Sequence, residues 1–301
     1  MSAHSLRPRS VTELLDAAFH LYRAHLGPFV LLGAGLLLPF VVLGVVFAVA
    51  MLPAMAQAGG AAGAEGAIDF TPFLWFYALM PVALCWIAIA DAAMQVAASD
   101  AYLKSEVSAG RALRLALARG WRIIGATLLK YIAVFAVLMV GGIAVGIGAA
   151  ISPVLAVVLG IGLMVLFPYV YGRVALVPST CVLEDSGAAR GLERAVQLSN
   201  ENGWRIVGGL FLVYLVLMVV QLTVLFGVAA MGMPIVGQVL GQLVWVLAYP
   251  LVAVLTMLFS YDLRIRKEGF DLEVMSADLA RLPEPPGTTA PMSAAGERRF
   301  R

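Results

Sequence analysis

Long apolar runs separated by short polar stretches dominate the chain. Six of them, at about 27–52, 72–98, 122–150, 153–176, 204–231 and 235–261, reach the roughly 20 residues that a helix needs to cross a hydrocarbon core about 30 Å thick. Stretches such as Phe40 to Met51 and Leu215 to Val220 are apolar without alternation, which excludes the strands of a transmembrane β-barrel. The pattern predicts an all-α integral membrane protein with six transmembrane helices. The polar stretches have a period of their own. Before the first run, Val11, Leu14, Leu15, Ala18, Phe19 and Tyr22 share one face of a 3.6-residue repeat, with Asp16, His20 and Arg23 opposite. Ser10-Val11-Thr12-Glu13 is a capping-box sequence that starts this helix.

Two further amphipathic segments have the same form. Ser108 is the expected cap of the second, which sets Leu113, Ala116 and Leu117 against Arg111, Arg114 and Arg122. In the third, Leu192, Ala195 and Val196 oppose Arg190, Glu193, Arg194 and Gln197, and Asn200-Glu201-Asn202-Gly203 breaks it. The runs that follow these two open almost alike, Gly120-Trp121-Arg122-Ile123-Ile124-Gly125 and Gly203-Trp204-Arg205-Ile206-Val207-Gly208, with Tyr131 and Tyr214 further on. The chain therefore reads as three hairpins, each preceded by an amphipathic helix on the cytoplasmic face, in units of about 10–106, 107–184 and 185–269. Residues 1–269 form the membrane domain. Residues 270–301 form a cytoplasmic tail, a short helix over 270–282 and then a disordered Pro- and Ala-containing end.

Composition removes the soluble alternative. The chain is 62% hydrophobic and 13% charged, against roughly 45–50% and 25% in soluble domains. The net charge of +2 matters less than its placement. Lys and Arg occupy the N-terminal segment, the stretches 104–130, 173–205 and 264–267, and the tail, whereas the connections near 53–71, 150–153 and 231–235 have none. The positive-inside rule then places both termini in the cytoplasm. Pro53 to Ala58 offers the small residues of a signal-peptide cleavage site, but the run before it is far longer than the roughly 7–15 residues of a signal sequence. That run is expected to remain as an anchor. Cys85 and Cys181 are expected as isolated buried thiols.

Candidate chemistry is sparse. Ionisable residues within spans carry a functional hypothesis, and Asp91, with Gln95 one turn on, Lys130 and Arg173 form a candidate intramembrane polar cluster in which Asp91 pairs with Lys130 or Arg173. It serves either as a structural clasp or as the wall of a polar cavity. Arg111, Arg114, Arg122, Arg190, Arg194 and Arg205 are candidate contacts for lipid headgroups, with anionic lipid as the natural partner. Gly142 with Gly146, and Gly237 with Gly241, are spaced for close helix approach. Pro39, Pro81, Pro168 and Pro250 are expected to kink their spans. No catalytic constellation, metal site, cofactor motif or nucleic-acid-binding pattern is found.

The opening Val11-Thr12-Glu13-Leu14-Leu15-Asp16-Ala17-Ala18-Phe19-His20-Leu21-Tyr22-Arg23 and the closing Tyr261-Asp262-Leu263-Arg264-Ile265-Arg266-Lys267-Glu268-Gly269-Phe270-Asp271-Leu272 resemble the membrane domain of glycerophosphoryl diester phosphodiesterases. The resemblance implies a protein of a bacterial cytoplasmic membrane. In two-domain relatives a soluble domain carries the catalytic groups, and only about 30 residues follow Phe270 here, so no phosphodiesterase activity is expected. The sequence is read as a non-enzymatic accessory or scaffold protein with a protein partner. The alternative is a transporter or lipid-handling permease with a cytoplasm-facing polar cavity.

Overall fold

The computed structural model describes residues 8–59, 71–104 and 107–269. The expected tail helix and disordered end, 270–301, lie outside the described residues. Within them every regular element is helical: α1 (Val11–Ala24), α2 (Leu26–Gly59), α3 (Thr71–Lys104), α4 (Ala109–Ala118), α5 (Gly120–Ile151), α6 (Pro153–Val174), α7 (Val177–Leu183), α8 (Ala188–Ser199), α9 (Gly203–Ala230) and α10 (Pro234–Glu268). Among the described residues five stretches are long and apolar enough to cross a membrane: Pro81–Leu103, Gly120–Ile151, Pro153–Leu183, Gly203–Ala230 and Ile235–Glu268. The first expected span falls inside α2, a helix of 34 residues.

Local signals start and stop these helices. The Ser10 hydroxyl accepts from the Glu13 N–H at 3.2 Å while the Glu13 carboxylate accepts from the Ser10 N–H at 2.8 Å, so two otherwise orphaned donors are satisfied. Ser108 caps α4 through the Arg111 N–H. α10 runs past its expected end near 261 because Asp262 and Arg266 pair one turn apart along it. It stops at Gly269, whose left-handed backbone (φ 66°, ψ 37°) returns its N–H to Ile265. α3, α6 and α10 run unbroken through Pro81, Pro168 and Pro250. α7 has no counterpart in the sequence reading. It starts with Pro178 in its first turn, where the missing N–H costs nothing, and buries Val177 to Val182 against α3, α5, α8 and α10.

The bundle has inner and outer members. In α3 and α10, 56% and 67% of the most apolar stretch is buried, against 6%, 0% and 11% for the stretches in α5, α6 and α9. The inner pair is therefore the core and the other three present their apolar sides outward, which only lipid tolerates. α3 reaches this position through small residues: Ala90, Ala92, Ala93, Ala97 and Ala98 are fully enclosed. α10 supplies the bulk, with Leu255, Met257 and Phe259 buried completely.

Glycines set two of the close approaches, though not all those the spacing predicts. Gly237 lies against the Leu225 carbonyl and Gly241 against Gln221, both on α9. Gly142 and Gly146 face open space, which corrects the expectation for α5. Their neighbours Gly141 and Gly148, two turns apart, are the ones packed on Leu163 and Leu159 of α6. A four-residue spacing identifies a helix face but not which face meets a partner.

The tightest approach to backbone is at Gly33 of α2, where an added Cβ would stand 2.8 Å from the Val246 carbonyl oxygen and 3.2 Å from Pro250. Gly33→Ala is expected to lower unfolding free energy in detergent micelles by about 1–3 kcal/mol, as overpacking does. Gly35→Ala, with open space around it, is expected to leave stability unchanged or slightly raised, since Ala favours the helix by about 1 kcal/mol. Equal effects at the two positions would refute the packing of α2 on α10.

Candidate functional site

α3, α5, α6, α9 and α10 converge on a cavity of about 250 Å³. Small and large residues face each other there. Ala88 of α3 and Ala175, just after α6, leave the space, and Tyr131, Tyr171, Tyr214 and Tyr249, together with Trp245, wall it. Asp91, Thr127, Lys130 and Thr256 supply its other polar groups.

Asp91 is held by donors. The Gln95 side-chain amide, one turn on, donates to it at 3.2 Å, and the Tyr249 hydroxyl is a second hydrogen-bond partner. Gln95 is fixed in turn by the Ser179 hydroxyl of α7, which donates to its carbonyl oxygen at 2.5 Å. Lys130 lies close enough to attract Asp91 electrostatically, and its ammonium sits 5.6 Å and 5.5 Å from the ring centres of Tyr131 and Tyr171. Both contacts fall within cation–π range. Thr256 is satisfied by the Val252 carbonyl at 2.8 Å. Thr127, only 5% exposed, has a hydroxyl without a hydrogen-bond partner.

Asp91, Gln95 and Lys130 are thus brought together, and Arg173 is not. Its guanidinium donates to the Tyr169 hydroxyl at 3.3 Å and to the Val196 carbonyl at 3.1 Å, tying α6 to α8. Its two terminal nitrogens are taken up by a phenol and a backbone carbonyl, partners that charge pairing alone does not reveal.

The arginines predicted to meet headgroups are mostly turned to partners within the chain. Arg111 pairs with Asp100 of α3, and Arg122 with Asp185 at 2.8 Å. Arg194 meets Glu184 at 2.9 Å and Glu268 at 2.5 Å. Burial opposes the Arg194 cation, but hydrogen bonds to the two carboxylates more than offset that and hold its pKa above the ordinary arginine value. Arg205 meets Asp262 at 2.7 Å. Arg114 and Arg190 are exposed.

Asp262 is the centre of this rim. It accepts from Arg205 at 2.7 Å, from Arg266 at 2.9 Å and from the Arg9 backbone N–H at 2.7 Å. Arg266 and Arg205 also donate to the Arg9 carbonyl. Lys267 donates to the Gln197 and Asn200 carbonyls at the end of α8, where a cation is favoured. Tyr261 bonds Ser99 at 2.6 Å and stacks on Tyr102. The closing segment is therefore a clamp that gathers α1, α3, α8 and α9. Among the described residues, no group of three His, Cys, Asp or Glu side chains is placed to hold a metal ion, and Cys85 and Cys181 are free thiols.

The tyrosines of the cavity are the part that sequence reasoning missed. One signal for them was present. Tyr131 and Tyr214 occupy the same place in the two similar runs, as do Thr127 and Leu210, and all four line the cavity.

These features define a bundle of helices around an internal polar and aromatic cavity, with five helices among the described residues long and apolar enough to cross a membrane. The chain belongs to the family described as a domain of unknown function, DUF7847, which it matches over residues 27–263. No curated protein and no solved structure matches it.

Two substitutions separate the cavity from the rim. Asp91→Ala leaves the Lys130 ammonium without its counter-charge and is expected to cost about 3–5 kcal/mol, most of it recovered in the Asp91→Ala/Lys130→Met double variant. Unfolding in micelles reads both, and failure of the second change to restore stability counts against their coupling. Asp262→Ala strands Arg205 and Arg266 and is expected to cost about 3–5 kcal/mol as well, with proteolysis near Arg9 as the earliest sign of loosening.

Proposed function

We propose that this chain is a multi-pass membrane protein of the permease or lipid-handling type, which takes a small polar ligand into the cavity around Asp91 and Lys130. In this reading six spans form three hairpins in a cytoplasmic membrane, with α1, α4 and α8 lying as amphipathic helices at the cytoplasmic surface. The observation that carries the reading is that two opposite charges and an unpartnered hydroxyl at Thr127 face a common cavity. Side chains that merely clasp two helices gain most when packed against each other without intervening space, because buried polar groups left unsatisfied cost about 1–3 kcal/mol each. Retained space with polar walls supports a ligand site.

Placement supports access from the arginine-bearing side. Lys130 lies towards the start of α5, near Gly120, and Asp91 in the half of α3 that ends at Lys104, so both are nearer the loops that the positive-inside rule assigns to the cytoplasm. The scaffold reading rests in part on an arginine-rich cytoplasmic face, and four of the six candidate arginines there pair within the chain. Fewer are left for a partner.

The reading is tested by cysteine accessibility. Thr127→Cys in a Cys85→Ala/Cys181→Ala background is expected to react with a small charged thiosulfonate applied to the cytoplasmic face of sealed vesicles, and more slowly from the opposite face. Absence of labelling from both faces in folded protein would refute an accessible cavity.

A further inference from the structure

Resting on the reading of this cavity as a ligand site, we propose that its ligand is a small zwitterion, a molecule or headgroup that joins an ammonium to an oxyanion. The walls divide by charge. Lys130 and Thr127 are one turn apart on α5 and line the same cavity, and the buried Thr127 hydroxyl has no hydrogen-bond partner. Together they offer a charged and a neutral donor to one oxyanion, a combination stronger than either alone. Asp91 lies on α3 with Tyr249 bonded to it, which places a phenol ring beside a carboxylate.

The rings divide in the same way. Tyr131 and Tyr171 already underlie the Lys130 ammonium. Tyr214, Tyr249 and Trp245 remain, with Tyr214 and Trp245 packed 6.1 Å apart. A ligand ammonium beside Asp91 meets their faces, the arrangement by which aromatic side chains hold alkylammonium groups.

Charge excludes the simpler ligands. An anion gains from Lys130 but is repelled by Asp91, and a cation meets the reverse. A neutral molecule must separate the two charges without replacing either partner, which is costly in a low-dielectric site. A zwitterion replaces each charge with its match. The volume of about 250 Å³ is below the roughly 300–1,000 Å³ of most ligand pockets, so the ligand is the size of an amino acid or of a phospholipid's ethanolamine phosphate.

The test uses the full chain in phosphatidylglycerol nanodiscs, with thermal unfolding followed against added glycine, β-alanine, acetate and methylammonium, and a parallel preparation in phosphatidylethanolamine nanodiscs. The expected result is a concentration-dependent rise in unfolding temperature with a zwitterion and none with acetate or methylammonium. Thr127→Val, which keeps shape and charge, is expected to fold normally and to weaken that protection by about 10-fold or more. Lys130→Gln and Asp91→Asn should weaken it further. Protection by the free amino acids identifies a soluble ligand; protection only in phosphatidylethanolamine discs, abolished by Thr127→Val, identifies the headgroup. Equal protection by acetate or methylammonium overturns the zwitterion and leaves the cavity reading standing. No protection in either preparation also overturns the zwitterion, and the Thr127→Cys labelling then decides whether the cavity reading falls with it.

Discussion

The fold depends on one carboxylate. Asp262 is nearly enclosed, and a lone anion there would be untenable. It is stable because two guanidiniums and a backbone N–H reach it from three parts of the chain: Arg205 at the start of α9, Arg266 on its own helix and Arg9 ahead of α1. The dependence is mutual. Arg205 is itself largely buried and needs the same anion. The segment before α1 and the starts and ends of two long helices are thereby fixed relative to one another where they leave the apolar region.

From that fixed end the inner helices extend side by side, and their compositions are complementary. α3 is narrow because its buried face is mostly alanine, and α10 fills the space with leucine, methionine and phenylalanine. Around Ala88 and Ala175 the complement is withheld: large aromatic rings stand back and the cavity results. Polar groups at that depth are supported from outside the cavity, as Ser179 of α7 supports Gln95 and through it Asp91. α7, too short to cross anything, positions the carboxylate.

Helix positions were legible because their causes are local. The Ser10 cap, the starts of α5 and α9 at Gly120 and Gly203, and the neighbours Asp91 and Gln95 all follow from spacing along one helix. What was not legible depends on residues far apart in sequence. Arg122 finds Asp185, and Arg194 finds Glu268, pairings that a helical wheel cannot display. Arg173 donates to a phenol and a carbonyl, groups present everywhere in the chain. Gly141 and Gly148 rather than Gly142 and Gly146 meet α6 because a step of one or two residues turns a helix by about 100° or 200°. The four tyrosines read individually as ordinary apolar residues, and only their convergence gives them meaning.

The two similar runs add something that neither helix contains alone. Tyr131 and Tyr214 match, and so do Thr127 and Leu210, all facing the same space; the position matching Lys130 is Val213, buried in the core. One wall of the chamber thus carries hydroxyl and ammonium where its counterpart carries hydrocarbon. Two stretches of nearly the same sequence thus differ in polarity where they border the cavity, so its walls are electrically lopsided although the residues around them are alike.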